Sequence, residues 1–260
     1  MASIYLINVG ANTADAAKAR SPLFPDGGFT FVSFPDENGN VAYPPEMQPF
    51  VSGAAGARTH LDPDWPNLTY GDFCRNMRAR ALLSATISDI LLFWALLWKT
   101  PAASGDIWSV TEKGWFLIGA LRIARILESS QTLDNLPDEE LRRVSFNAHV
   151  RGNQVESRDK VRVFLGEQQH SARFAKAVDL GVYKPDSLLL QTVRTADGRQ
   201  IRWNCPPRWN SVLRCCRAVL DLAIPEQRQR AEILRQRVLV WNPQFDLLEG
   251  TIPDPAARSA

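Results

Sequence analysis

Cysteine and histidine are scarce in this 260-residue sequence, which holds four of the first and three of the second. The cysteines match no common zinc-binding spacing, so we expect buried apolar thiols rather than metal ligands. They are Cys74, Cys205, Cys215 and Cys216. The first residues, Met1 to Ile7, lack the basic segment and the long apolar stretch of a signal peptide. A reducing, cytoplasmic location without disulfides is therefore expected.

Sequence signatures of several enzyme classes are also missing. There is no Gly-x-Ser-x-Gly, and His60, His149 and His170 lie in unrelated sequence contexts, which argues against a serine hydrolase. Neither Gly-x-Gly-x-x-Gly nor a Walker sequence occurs, so phosphoryl transfer from a nucleotide is not expected.

An excess of one charge and long apolar runs are lacking as well. The 30 basic and 28 acidic side chains leave a formal net charge of +2. This balance excludes a uniformly basic nucleic-acid coat but not a local basic patch. Each of the two main apolar runs is shorter than the roughly 20 residues that a membrane-spanning helix needs. No membrane partner is expected.

What the sequence does contain is a pair of apolar runs, Ile87 to Trp98 and Trp115 to Leu127, on either side of the polar segment 101–114. Continuous runs of this kind predict two buried strands of one sheet joined by a functional loop. Further strands are predicted at Ile4–Val9, Phe29–Phe34 and Lys160–Gly166, with a hairpin around residues 196–198.

Helices are fewer than strands. They are expected at Phe73–Ser84, at Pro137–Val144, from Ser171 onward, at Arg208–Ile224 and at Pro225–Val240. Strands interspersed with short helices predict an α+β fold with a strongly bent sheet or barrel. The expected division is a core over residues 1–204, with an irregular insertion at 35–68, followed by C-terminal helices and a polar, extended tail over 205–260.

Ionisable side chains offer two kinds of candidate site. His149 could bind a metal together with His170 and Glu167, but polar residues at strand ends are the commoner use of such side chains, so neither a metal nor a cofactor is expected. Paired carboxylates could act in acid–base catalysis, although no pair has a distinctive spacing. The carboxylates concerned are Asp26, Asp36, Glu37 and Asp72.

Tryptophan is the more unusual component, with eight residues. An indole that stacks on a nucleobase contributes roughly 1–3 kcal/mol per base, whereas core packing is the other common use of the residue. The segment from Trp203 to Trp209 places two indoles, an amide and an arginine within seven residues. This combination is suited to clamping a base or a phosphate.

Four segments resemble the nucleotide modification associated domain 3 family of bacteria and phages. They are Ile7–Thr13 (INVGANT), Arg20–Phe29 (RSPLFPDGGF), Thr69–Asp72 (TYGD), and the loop after Phe164 with Gly166, Ser171 and Arg173. The resemblance covers about the first 180 residues. It implies a setting of DNA base modification rather than one particular reaction.

A second resemblance is to PUA-like readers of modified bases, of the EVE and ASCH type. It rests on Arg75–Arg80, Ser88–Trp94 and Phe116–Ala120, which are similar to a helix-strand-strand run in those domains. There the barrel binds a flipped or modified base in an aromatic pocket. Ser88-Asp89 stands where that pattern usually has Gly-Asp, and the segments 35–67 and 99–114 also differ.

Together these features predict a PUA-like α+β protein that binds a nucleotide or a modified base, in a DNA-modification or phage-defence setting. Asn8, Asn12 and Ser21 would contact the ligand, Trp94 or Trp98 would stack on the base, and Arg78 or Arg173 would meet phosphate. The remaining expected ligand residues are Asp26, Tyr70, His149 and Ser171.

Two other functions stay open at this point. The first is an enzyme that modifies a DNA base or a nucleotide precursor, with Asp26, Asp72 or His149 in acid–base roles. The second is an assembly subunit that contacts a protein partner through its arginine-rich C-terminal helices. Convergence of the ionisable residues in one cleft would favour the enzyme, and an aromatic pocket near Trp94 would favour the reader.

Overall fold

The computed structural model describes residues 2–11, 15–36, 39, 41–53, 58–74, 79–101, 106–158, 160–180, 193–194, 200–201 and 218–251. The strands are β1 Ser3–Asn8, β2 Ser21–Leu23, β3 Val41–Ala42, β4 Arg58–Thr59, β5 Thr69–Phe73, β6 Ile90–Lys99, β7 Lys113–Glu128, β8 Val150–Arg151, β9 Gln154–Val155, β10 Val161–Gly166, β11 Ala172–Asp179, β12 Val193–Arg194, β13 Gln200–Ile201 and β14 Ala218–Asp221. The α-helices are α1 Asp138–Val144 and α2 Pro225–Trp241, and short 3-10 helices lie at Gln48–Phe50, Arg80–Ser84 and Ile107–Ser109.

The two apolar runs form the centre of the fold, as predicted. β6 and β7 pair antiparallel, from Ile90 opposite Arg122 to Trp98 opposite Lys113. Alternate residues of β6 belong to two different hydrophobic clusters. Leu92 and Trp94 lie on one face of the sheet, and Leu91 and Phe93 lie on the other. Because both faces are covered, the sequence of β6 is continuously apolar instead of alternating.

The main sheet is mixed and has eight strands. Its order is β14-β1-β6-β7-β10-β5, with β2 pairing with β6 and β11 pairing with β7. β1 and β2 run parallel to β6, whereas the other pairings are antiparallel. The expectation of an α+β fold is confirmed. Within the part of the chain that the structure describes, these strands do not close into a barrel, and the resemblance to PUA-like readers is not confirmed.

Three local predictions within the first 180 residues were wrong. Residues 30–34 form no strand, and Phe29 makes only an isolated bridge to Leu23. The segment that begins at Phe73 is not a helix, because strand β5 ends there and residues 80–84 form a 3-10 helix; residues 75–78 lie outside the described part. The chain after Ser171 is a strand, β11, because the free edge of β7 supplies a pairing partner that outweighs the helix preference of its alanines.

The C-terminal part of the chain packs onto the central sheet. Helix α2 was predicted correctly, but residues 218–221, expected in a helix, form β14 alongside β1; residues 208–217 lie outside the described part. Leu234 and Val238 of α2 join the same hydrophobic cluster as Trp94. Leu247 and Leu248 join it too, so residues 242–251 are packed rather than extended and frayed as predicted. None of the described helices combines the length and apolar character needed to cross a membrane.

Two peripheral β-hairpins flank the main sheet and carry the polar residues of interest. β3 pairs with β4, inside the largely irregular segment that the sequence predicted, and the chain then leads from β4 into β5. β8 pairs with β9, and this hairpin is anchored by Val150 and Val155 in a third hydrophobic cluster with Val163 of β10. Residues that flank the two hairpins, Asp62 after β4 and His149 before β8, meet at Gly71 of β5.

Candidate active site

Two histidines and one aspartate converge beside β5. His60 Nε2 lies 3.1 Å from His149 Nε2. Asp62 Oδ2 lies 3.6 Å from the first of these nitrogens and 3.7 Å from the second. Among the residues that the structure describes, this is the trio of histidine, cysteine or acidic side chains whose ligand atoms all lie within 4.8 Å of one another. We call it the His60–Asp62–His149 centre.

Strand β5 holds Asp62 and requires a glycine to do so. The backbone N–H of Gly71 donates to both carboxylate oxygens of Asp62, each at 3.0 Å. A Cβ atom at position 71 would lie 2.3 Å from His149 Cδ2, so only glycine allows the imidazole to approach this strand. The same residue thus fixes the carboxylate and makes room for the ring.

The position of His149 follows from the β8–β9 hairpin. Val150 pairs with Val155, so His149 and Glu156 stand opposite each other at the open end, where the Glu156 N–H donates to the His149 carbonyl at 2.9 Å. This register places Glu156 Oε2 3.3 Å from His149 Nδ1. The backbone N–H of His149 donates to Asn147, which is itself tied to β5.

His60 is placed by the end of β4. Asp36 runs beside that strand, where its N–H donates to Arg58 O at 3.1 Å. Its carboxylate lies 3.7 Å from His60 Nδ1. The His60 ring stacks on Phe34 with 5.4 Å between centroids. Each imidazole of the centre therefore has a carboxylate on its Nδ1 side and presents Nε2 to the other imidazole.

The centre is buried but open on one side. The side chains of His149 and Asp62 are only 3% and 5% exposed, whereas His60 is 16% exposed and Asp36 is 28% exposed. The more exposed side of the centre is therefore that of His60 and Asp36.

Burial and charge perturb the ionisable groups around the centre. Desolvation raises the pKa of Asp72 to about 6, although the hydrogen bond from Tyr70 and the charge of His149 act in the opposite direction. Burial lowers the pKa of His60, but the neighbouring carboxylates Asp62, Asp36 and Glu156 outweigh burial and raise it overall. Such perturbed groups are typical of acid–base sites.

Two of the ligand residues predicted from the sequence lie at this centre or beside it. His149 is one of the two imidazoles. Tyr70 donates a hydrogen bond of 2.7 Å to Asp72 Oδ2, one residue after Gly71. His170, in contrast, lies 2.9 Å from Glu167, and this pair does not join His149 in a metal-ligand set among the described residues.

The other predicted ligand residues are distributed over the fold. Three are buried and hydrogen-bonded within the chain: Asn8 to the Trp94 carbonyl, Ser21 to the Val32 backbone, and Ser171 to the Arg122 N–H. Asp26 and Arg173 are exposed. Asn12 and Arg78 lie outside the described residues, and so does the segment from Trp203 to Trp209.

The two tryptophans expected to stack on a base are core residues. Trp94 is 1% exposed and packs edge-on against Trp115 at 5.1 Å. Trp98 is covered by cations of the chain itself, with the Arg20 guanidinium 4.2 Å and the Lys113 ammonium 4.4 Å from its ring centroid. Neither indole presents an open face to a base in this structure.

Sequence reasoning missed the roles of His60, Asp62 and Glu156. The available signal was His60-Leu61-Asp62, a spacing of two that puts both side chains on one side of an extended chain. Nothing in the sequence linked this pair to His149, which is 89 positions away.

Comparison with known proteins identifies a protein family to which this chain is similar. The model of the nucleotide modification associated domain 3 family matches residues 3–219. The match runs from β1 into β14 and includes every residue of the centre. Comparisons with curated proteins and with solved structures found no match.

Proposed function

Because the chain belongs to the nucleotide modification associated domain 3 family, we propose that it is an enzyme that acts on a nucleotide or a DNA base at the His60–Asp62–His149 centre. The observation that carries the proposal is the approach of two imidazole Nε2 atoms to 3.1 Å, with a buried carboxylate within 3.7 Å of each. Groups that can bind or transfer a proton near neutral pH are gathered at one point.

The orientation of His149 supports a reactive role. Glu156 Oε2 lies 3.3 Å from Nδ1 of His149, and in the tautomer in which Nδ1 donates to this carboxylate the lone pair of Nε2 faces the centre. An imidazole oriented by a carboxylate in this way is the arrangement that enzymes use to activate a water molecule or a hydroxyl group. At this centre Nε2 of His149 would accept the proton itself, or would hold a cation that activates the water molecule or hydroxyl group.

An enzyme accounts for the structure better than a passive reader of modified bases does. The two indoles expected to stack on a base, Trp94 and Trp98, are covered, whereas the ionisable groups of the centre do converge. Of the residues expected to converge in an enzyme, His149 and Asp72 interact electrostatically beside the centre. Recognition of a modified base then becomes the binding step that precedes the reaction.

A groove beside α1 has the chemistry for that binding step. Its volume is about 720 Å³, and its lining includes Asn67, whose Nδ2 donates to Asp64, together with Arg142, Phe146 and the carboxylate of Glu139. An edge-reading amide, a cation and an aromatic ring are the groups that nucleotides require. Phe146 is three residues before His149, so the groove and the centre are joined by at most roughly 11 Å of chain.

The test is turnover followed by mass spectrometry. The protein is incubated with nucleoside mono- and triphosphates and with oligonucleotides that carry modified or unmodified bases, and the products are separated and weighed. We expect a change of mass in one substrate class and a loss of roughly 10²–10⁴-fold in rate in His149→Gln, the range for removal of a general acid or base.

The matched control is His170→Gln, which makes the same chemical change at a histidine outside the centre. Its rate should equal that of the unmodified protein. Saturable binding of a modified base without any change of mass would contradict the enzyme proposal and favour the reader. A loss of rate of equal size in the two variants would place the reaction elsewhere.

A further inference from the structure

The three converging atoms of the centre have the spacing of metal ligands. A circle through points separated by 3.1, 3.6 and 3.7 Å has a radius of about 2.0 Å, and Zn²⁺ lies about 2.0–2.2 Å from imidazole nitrogen and carboxylate oxygen. We propose that His60 Nε2, His149 Nε2 and Asp62 Oδ2 bind one divalent transition-metal ion, either Zn²⁺ or Fe²⁺.

The groups behind the ligands support this assignment. An imidazole that binds a metal nearly always directs its other ring nitrogen at a carboxylate, a carbonyl or water, which fixes the tautomer. Glu156 takes this position for His149, with 3.3 Å to Nδ1, and Asp36 takes it for His60, with 3.7 Å to Nδ1. His149 therefore has the hydrogen-bonded outer partner typical of a metal ligand, and His60 has a carboxylate on the same side of its ring at 3.7 Å, beyond direct hydrogen-bond distance.

The carboxylate ligand is positioned by the fold itself. Both oxygens of Asp62 accept from the N–H of Gly71, so its orientation does not depend on the ion. A site whose ligands are already held in place loses little conformational freedom when it binds the ion.

The ligand set indicates the kind of ion. Two imidazoles and one carboxylate suit Zn²⁺, Fe²⁺ and Co²⁺, whereas Mg²⁺ and Ca²⁺ prefer oxygen ligands alone. Three protein ligands leave coordination positions open, as in catalytic rather than structural sites. The open side is that of His60, the most exposed of the three ligands.

This site deepens the proposed function, and its chemical consequence rests on that function. An ion bound here would lower the pKa of a bound water molecule towards 7 and so supply a nucleophile at neutral pH. Binding itself is independent of turnover, and the two can be measured separately.

The experiment is a titration of the full chain after treatment with a chelator and desalting. The protein is titrated in turn with Zn²⁺, Co²⁺ and Mg²⁺, and with Fe²⁺ under anaerobic conditions. Binding is measured by isothermal titration calorimetry and, for Co²⁺, by visible absorption. We expect one tightly bound equivalent of each transition metal and no competition from Mg²⁺. The affinity should fall at least 100-fold in His60→Gln and in the isosteric Asp62→Asn, and stay unchanged in His170→Gln.

The possible results separate the two proposals. Unchanged affinity in both ligand variants, or no bound equivalent in the unmodified protein, would overturn the metal site, whatever the turnover assay shows. Binding that depends on the three ligands supports the site even if no substrate is turned over, in which case only the proposed function fails. Comparison of thermal unfolding with and without Zn²⁺ identifies any variant that has not folded.

Discussion

Replacing Gly71 by alanine should displace a ligand of the His60–Asp62–His149 centre without changing any ligand residue. An added Cβ would lie 2.3 Å from His149 Cδ2 and 2.9 Å from Asn147 Oδ1. Ordinary contacts of a Cβ atom begin at 3.4 Å, so the imidazole or the strand has to move by about 1 Å, as in an overpacked core. Metal ligands tolerate displacements of about 0.2 Å.

Two magnitudes follow from this geometry. Overpacking of this kind costs about 1–3 kcal/mol in the free energy of unfolding, which corresponds to a decrease in Tm of roughly 2–12 °C for a domain of this size. The affinity for a transition metal should fall by at least about 100-fold, because a ligand is displaced well beyond the tolerance of the site.

Gly53→Ala is the matched control. Gly53 has a φ of +66° and no atom within 4 Å of an added Cβ. Alanine there is strained by about 1–2 kcal/mol from its left-handed backbone alone and touches nothing at the centre. Both variants should therefore lose stability, while only Gly71→Ala should lose metal affinity.

The assay combines differential scanning calorimetry of the metal-free proteins with the Co²⁺ and Zn²⁺ titrations. The reasoning is refuted if Gly71→Ala binds metal as tightly as Gly53→Ala does. Equal affinity would show that His149 is not a ligand or that its ring does not pack against β5.

Three further predictions test other parts of the structure. Glu156→Gln should weaken metal binding by roughly 10–100-fold, the usual effect of losing an outer partner, with little change in the Tm of the metal-free protein; an unchanged affinity would exclude Glu156 from the site. Burial raises the pKa of the Cys74 thiol, so iodoacetamide should label Cys74 only after unfolding, as peptide mapping by mass spectrometry would show; labelling of the native protein would contradict its packing. The hydrogen bonds from Arg235 lower the pKa of Asp246 in the folded state. Its contribution to stability is therefore present above the ordinary aspartate pKa and is lost as the pH falls through the lowered value. Denaturant unfolding should accordingly show a penalty for Asp246→Asn at pH 7 that shrinks towards pH 2, and a penalty independent of pH would refute this pairing.

The central strands could be predicted from the sequence because their signal is local. β6 is almost wholly apolar, and β7 contains a long apolar stretch interrupted by Arg122 and Arg125, so consecutive residues already indicate burial on both faces of the sheet. Helix α2 was predictable for a related reason, since Pro225 stands at its first position and the run of helix-forming residues is long.

The errors arose where pairing with distant strands decides the structure. β11 contains three alanines that favour a helix, yet it lies along β7, about fifty residues earlier in the chain. β14 likewise pairs with β1 at the opposite end of the chain. The local sequence does not show that a distant strand has an unpaired edge with which a segment can pair.

The candidate site could be predicted only in part for the same reason. His149 and Tyr70 were among the expected ligand residues, but the partners of His149 are distant in sequence: His60 and Asp62 follow β4. The high number of tryptophans led to the prediction that Trp94 or Trp98 stacks on a base, but both side chains are packed in the hydrophobic core on β6.

The proposed metal site depends on the convergence of His60, Asp62 and His149 on one point. X-ray absorption at the zinc edge of the zinc-loaded protein measures this directly. We predict two imidazole nitrogens and one carboxylate oxygen at about 2.0–2.2 Å, together with oxygen from water. Sulfur at about 2.3 Å would place the ion on cysteines instead and would contradict the metal site at this centre.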